Sequence, residues 1–221
     1  MVLLVVRFLI ITVGSSLIQL NFHIAAYCQN KSLKQKKIAL TFDDGPTEFT
    51  PAILDLLERY KAKATFFCIG ANIEKRPQLL KEIAEKGHEI GNHTFYHGTF
   101  FDFKNSKEVL EELKKTDTLL EQVLGTKPRF FRPPYGVTNP SIKKALQVSK
   151  HMVIGWNIRS LDTILKDETK IVNRIIKQIQ PGSIILLHDT SEKTVRVVAQ
   201  LLLFLQQEEY EIISLDELIQ A

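Results

Sequence analysis

SIILLHD (183–189) sets four aliphatic residues, Ile184 to Leu187, directly before His188 and Asp189. A strand with one wet face alternates apolar and polar residues. A run that is apolar at every position fits a strand covered on both faces, as in a parallel sheet between helices. Outward from this stretch, short apolar runs alternate with helical patterns along most of the chain. Strands are predicted over 36–43, 63–70, 88–93, 129–134, 151–158, 183–189 and 211–215. Helices are predicted over 51–62 (Thr50 as N-cap, Pro51 first), 77–87 (closed by Gly87), 106–125 (Ser106 as N-cap, Gly125 as stop), 139–150, 168–182 and 192–210.

This alternation predicts one α/β domain with about seven parallel strands. The chemically capable residues choose between an open sheet and a barrel. Asp43 and Asp44 end the first strand, His93 the third, with His97 beyond it, and Arg132 and Tyr135 the fourth. Trp156 and Asn157 end the fifth, with Asp162 beyond, and His188 and Asp189 end the sixth. Barrel enzymes collect their sites at the C-terminal ends of several strands. An open sheet uses one switch point, usually beside a glycine-rich phosphate turn, and this sequence has no such turn. The expectation is a distorted (β/α) barrel.

The chain has 221 residues, 24% of them charged, and a formal net charge of +4. That length allows a single sizeable core. Its basic residues are dispersed and are not interleaved with aromatics, which argues against a nucleic-acid partner. Residues 1–30 are apolar apart from Arg7 until NFHIAAYCQN (21–30). They read as a signal peptide or membrane anchor, with KSLKQKK (31–37) as linker and the main domain over 36–221. Cys28 and Cys68 form no disulfide framework.

Two motifs carry chemistry. NHTFYH (92–97) places His93 and His97 four apart, a spacing that on a helical turn lets both imidazoles reach one metal. TFDDGP (41–46) supplies carboxylates at a neighbouring strand end. Two histidines and one carboxylate leave a coordination position open for water, the arrangement of catalytic sites. Taken alone, the histidines also suit core or surface positions, and D-D-G-P also suits a polar turn.

TFDDGP, HTFYH, RPPYG and ILLH, in this order at strand ends, resemble the polysaccharide deacetylase family, carbohydrate esterase family four, over roughly residues 36–215. The resemblance implies a distorted β/α barrel and a metal-dependent hydrolase that removes acetyl groups from sugars. It implies Asp44, His93 and His97 as ligands of a divalent metal, zinc first, with cobalt or a similar ion as alternative. It implies Asp43 as general base, Arg132 as the group that orients and charge-balances it, and His188 as general acid paired with Asp162. The Tyr135 backbone N–H would hold the oxyanion and Leu186 would line the acetyl pocket. Trp156, the only tryptophan, is placed beside that pocket, with barrel packing its plainer role. The aromatic stretch TFYHGTFFDF (94–103) reads either as a sugar-stacking rim or as a packed loop. The family often has an aromatic after the Asp162 position, where this chain has Thr163; Arg159 is a candidate to reshape that subsite.

The expected activity is hydrolysis of the N-acetyl amide of hexosamines in peptidoglycan or a chitin-like glycan, by an exported or anchored monomer of the cell envelope, periplasm or exterior. Alternatives are a metal hydrolase of non-sugar amides and a non-catalytic glycan-binding protein on the same scaffold. A glycosidase built on Asp43 and Asp44 would leave the three histidines without work.

Overall fold

The computed structural model describes residues 2–221 and, within them, the side chains of all but residues 2–4 and 8. Nine strands alternate with nine α-helices among the described residues. The strands are β1 (Ala26–Tyr27), β2 (Lys37–Asp43), β3 (Ala64–Cys68), β4 (Glu89–Asn92), β5 (Phe130–Phe131), β6 (Met152–Ile154), β7 (Ile158–Arg159), β8 (Ile184–His188) and β9 (Glu211–Ile212). The helices are α1 (Val2–Ser16), α2 (Thr50–Arg59), α3 (Gly70–Lys75), α4 (Pro77–Glu85), α5 (Ser106–Leu124), α6 (Pro140–Ser149), α7 (Glu168–Ile176), α8 (Glu192–Gln207) and α9 (Leu215–Gln220).

The sheet runs β1-β6-β5-β4-β3-β2-β8-β7, with β9 beside the start of β2, and every pairing is parallel. It curls into an incomplete barrel. Strand alternation separates two cores. Leu40, Phe42, Phe66, Ile185 and Leu187 pack outward against the helices. Ala39, Phe67, Phe131, Ile184 and Leu186 fill the other side. Both faces are therefore dry, which is why SIILL is apolar throughout. The register sets Asp43 opposite both Phe67 and His188, so the ends of β2 and β8 finish level.

The barrel expectation holds, and the strand predicted over 151–158 divides in two. It breaks at Gly155–Asn157, where Gly155 packs so close to Cys28 that an added Cβ would lie 2.5 Å from Sγ. The segment bridges the gap between the open edges. Asn157 N–H donates to the Ile184 carbonyl (3.3 Å), and its side-chain carbonyl accepts from Ile184 N–H (2.7 Å). Its amide also donates to Ser183 Oγ (3.1 Å). Asn157, grouped by sequence with the chemical residues, thus replaces a rung of the sheet.

Several helix starts also differ. Asn105, not Ser106, caps α5, in a capping box with Glu108. Thr50 is the first residue of α2 rather than its cap. α7 ends at Ile176, before Pro181. The strand predicted over 211–215 stops at Ile212, because Ser214 accepts from Glu217 N–H and starts α9.

The folded unit also begins before residue 36. β1 pairs with β6, and Ile18, Ile24 and Ala26 are buried in the inner core. α1 carries exposed Val5, Val6, Leu9, Ile10 and Ile11. Among the described residues, no helix is long and apolar enough to cross a membrane.

Asn157→Ala removes the side-chain rung and leaves a buried N–H unpaired. Urea unfolding is expected to show a loss of about 1–3 kcal/mol; an unchanged midpoint would deny the bridge any part in closing the barrel.

Candidate active site

β2 delivers Asp43 to the barrel mouth with its side chain turned inward and 4% of the residue exposed. Straight continuation would send Asp44 to the opposite face. Instead Asp44 has φ 74°, in the left-handed region, and this turn swings its carboxylate back beside that of Asp43. Asn72 Nδ2 donates to the Asp44 carbonyl (2.8 Å), and Ile69 N–H donates to that of Gly45 (2.9 Å). Gly45 is required here, because a Cβ would meet the Asp189 carboxylate at 2.4 Å. Asp189 is buried, is pushed up to about 7 by burial, and accepts from the Thr50 hydroxyl.

His93 follows β4. The Arg132 carbonyl can only accept, so His93 Nδ1 carries the proton of their 2.7 Å hydrogen bond and Nε2 is left free. That nitrogen lies 3.5 Å from Asp44 Oδ1 and 3.7 Å from Asp43 Oδ2. His97 Nε2 lies 3.5 Å from the same Asp44 oxygen. The segment between the histidines is not the helical turn that the spacing suggested. It is a bend with Thr94 at φ 67° and His97 at φ 51°. Glu112 of α5, buried, holds it by accepting from Phe95 N–H (3.0 Å) and Tyr96 N–H (2.9 Å). Sequence reasoning missed Glu112; its only signal was an acid on the apolar face of an amphipathic helix.

The ligand atoms of Asp44, His93 and His97 all lie within 4.8 Å of one another. Two ligands at tetrahedral zinc distances stand about 3.3 Å apart, close to the 3.5 Å separations here. Asp44 Oδ1 is buried and makes no hydrogen bond. Burial pushes Asp44 up, but His93, His97 and His188 outweigh it and hold the carboxyl well below its ordinary range. Burial and His93 lower His97 to about 4, so it is neutral near pH 7. An ionised carboxylate and a neutral imidazole are the forms that bind a cation, and the donor set fits one.

On one side of this triad, Arg132 is fully buried between the rings of Phe67 and Trp156. It donates to Asp43 Oδ1 (2.7 Å), Thr41 Oγ1 (2.8 Å) and the carbonyls of Gly155 (2.9 Å) and Ile154 (3.1 Å). On the other side, His188 Nδ1 bonds Asp162 Oδ1 (2.8 Å). Asp162 is fixed in turn by the hydroxyls of Ser160 (2.8 Å) and Thr194 (3.0 Å) and by His188 N–H (2.9 Å). Burial disfavours charge on His188, but the Asp162 carboxylate overrides it and raises the imidazole to about 9.

Asp43, Asp44, His93, His97 and His188 border one cavity of about 340 Å³, with Arg132 and Asp162 buried behind them. Tyr135, Gly136, Trp156, Arg159, Thr163 and Leu186 form its walls. Tyr135 has φ 59° and sets its ring edge-on to His97 at 4.8 Å. Trp156 both lines the cavity and packs in the inner core. In the aromatic stretch, Phe95 and Phe101 are buried while Tyr96, Phe100 and Phe103 are exposed.

A family model described as Polysaccharide deacetylase matches residues 30–153. A peptidoglycan-N-acetylglucosamine deacetylase of Bacillus cereus is 39% identical over 75% of this chain and 60% of its own length. The peptidoglycan-N-acetylmuramic acid deacetylase PdaC of Bacillus subtilis is 32% identical over 83% of this chain. The chain spans 39% of that relative's length. A solved structure of peptidoglycan deacetylase PdaC from Bacillus subtilis superposes with TM-score 0.79 at 32% identity, covering 84% of this chain and 91% of the other.

Glu112→Ala frees the bend that carries His97. A competition titration against a chromophoric chelator is expected to show zinc affinity lowered about 10–100-fold; unchanged affinity would mean that the bend holds itself.

Proposed function

The chain belongs to the polysaccharide deacetylase family, and on that premise we propose that it is a metal-dependent hydrolase removing N-acetyl groups from hexosamines of a glycan, with peptidoglycan or a chitin-like oligosaccharide as substrate. One observation carries the reading. A cation-ready triad stands between a carboxylate paired with arginine and an imidazole paired with carboxylate, all on one cavity.

Asp44, His93 and His97 would hold the divalent ion, zinc first and cobalt or a similar ion as alternative, which supplies Lewis acidity to the amide carbonyl and to water. Asp43 takes the proton from the attacking water as its oxygen bonds the acetyl carbon. Arg132 fixes the carboxylate for that transfer. The Tyr135 backbone N–H steadies the developing oxyanion, and Leu186 borders the acetyl methyl. An amide nitrogen leaves poorly as an anion. His188 therefore donates its proton to that nitrogen as the C–N bond breaks, giving acetate and a free amine. Asp162 keeps His188 protonated through neutral pH. The apolar helix α1, which exposes aliphatic side chains, supports export or anchoring, and the protein works as a monomer at the cell envelope, in the periplasm or outside the cell.

Acetate release from N-acetylglucosamine oligomers and peptidoglycan fragments tests the assignment. Asp43→Asn is expected to lower kcat/KM by about 10²–10⁴-fold; full activity in this variant would remove Asp43 as the base.

The pH profile tests the acid. His188 must be protonated to act, so activity is expected to fall as pH rises through about 9. Asp162→Asn removes the carboxylate and leaves the burial that disfavours charge. The alkaline limb should then move to lower pH; a limb that stays in place would assign it to another group.

A further inference from the structure

The charges of the site fall into closed sets, with one group left over. Asp43 is taken by Arg132, Asp162 by His188, and Asp44 lies between His93 and His97. Arg159 borders the same cavity and belongs to none of them. Its side chain is exposed, and among the described residues its guanidinium makes no ion pair or hydrogen bond. Only its carbonyl is engaged, by Arg174 Nε (2.9 Å). β7 fixes where it stands. Ile158 and Ser160 on either side are buried, and Arg159 is in register with Leu186, another residue of the cavity wall. Thr163, short and exposed, lines the wall with it.

An unpaired guanidinium at the mouth of a cleft that contains two carboxylates has a definite chemical preference. It offers a planar fork of donors that matches a carboxylate. A neutral glycan would gain little from it.

Resting on the hydrolase reading above, we propose that Arg159 makes this site selective for N-acetylated sugars that carry a carboxylate, either on the sugar itself, as in the lactyl ether of muramic acid, or on a peptide attached to it.

The test reads binding without turnover, in the zinc-loaded Asp43→Asn protein. Three probes separate the sources of charge: the neutral tetramer of N-acetylglucosamine, the alternating N-acetylglucosamine–N-acetylmuramic acid tetrasaccharide with free lactyl groups, and the same tetrasaccharide bearing stem peptides. At least one acidic probe is expected to bind about tenfold more tightly than the neutral one, and which one does so locates the carboxylate. Adding Arg159→Gln should reduce that preference to less than about twofold, and Arg159→Lys should restore part of it. Equal binding of neutral and acidic probes, or a preference that survives Arg159→Gln, overturns the proposal. The hydrolase reading is judged separately, by acetate release from the unsubstituted protein. A chain that prefers acidic glycan through Arg159 yet releases no acetate would overturn only that reading.

Discussion

The buried pairing of Arg132 with Asp43 is the contact on which the rest of the site depends. A guanidinium with no exposed surface is tolerable only if its charge is matched and its donors are used. Asp43 matches the charge at 2.7 Å, and Thr41, Ile154 and Gly155 accept the remaining bonds. These partners come from β2, from the end of β6 and from the bridging segment after it. Through its own carbonyl, Arg132 also fixes the tautomer of His93. One residue thereby holds Asp43, orients His93 and ties two sides of the barrel together. Removing either member of such a pair leaves the other charge buried alone, at a cost of about 3–5 kcal/mol.

Around this pair the backbone is repeatedly forced into the left-handed region by residues other than glycine: Asp44, Thr94, His97, Tyr135 and Leu161. Such conformations cost roughly 1–3 kcal/mol each and persist only where neighbours over-determine them. The neighbours are identifiable here. Asn72 holds the Asp44 carbonyl, Glu112 holds the bend before His97, and the Thr94 hydroxyl accepts from His97 N–H (3.0 Å). This irregular backbone is what lets adjacent aspartates, and histidines on a bend, converge on one point.

The barrel was legible in the sequence because both of its signals are local. Apolar runs mark strands dry on both faces, and reactive residues fall where those runs stop. Asp43, Asp44, His93, His97, Arg132, Asp162 and His188 were all visible as chemically capable groups at or just beyond strand ends; the fold draws five of them to one cavity and sets Arg132 and Asp162 behind Asp43 and His188. The supporting residues were not. Glu112 and Thr194 are ordinary types in ordinary helical contexts, and their roles come from partners 16 or more residues away for Glu112 and 32 residues away for Thr194. The division of the 151–158 strand was equally hidden. It goes with the pairing of Asn157 to Ile184, 27 residues away, which only the folded chain reveals.

The proposed function rests on Asp44, His93 and His97 forming a single metal site that serves hydrolysis of N-acetylhexosamine. The most direct measurement is a titration of metal-free protein with zinc, following acetate release from an N-acetylated glycan and bound zinc in the same samples. Activity is expected to rise in step with occupancy, level off near one zinc per chain, and be lost again on chelation. Acetate release by the metal-free protein, or zinc bound at that stoichiometry with no acetate from any N-acetylated glycan, would contradict it.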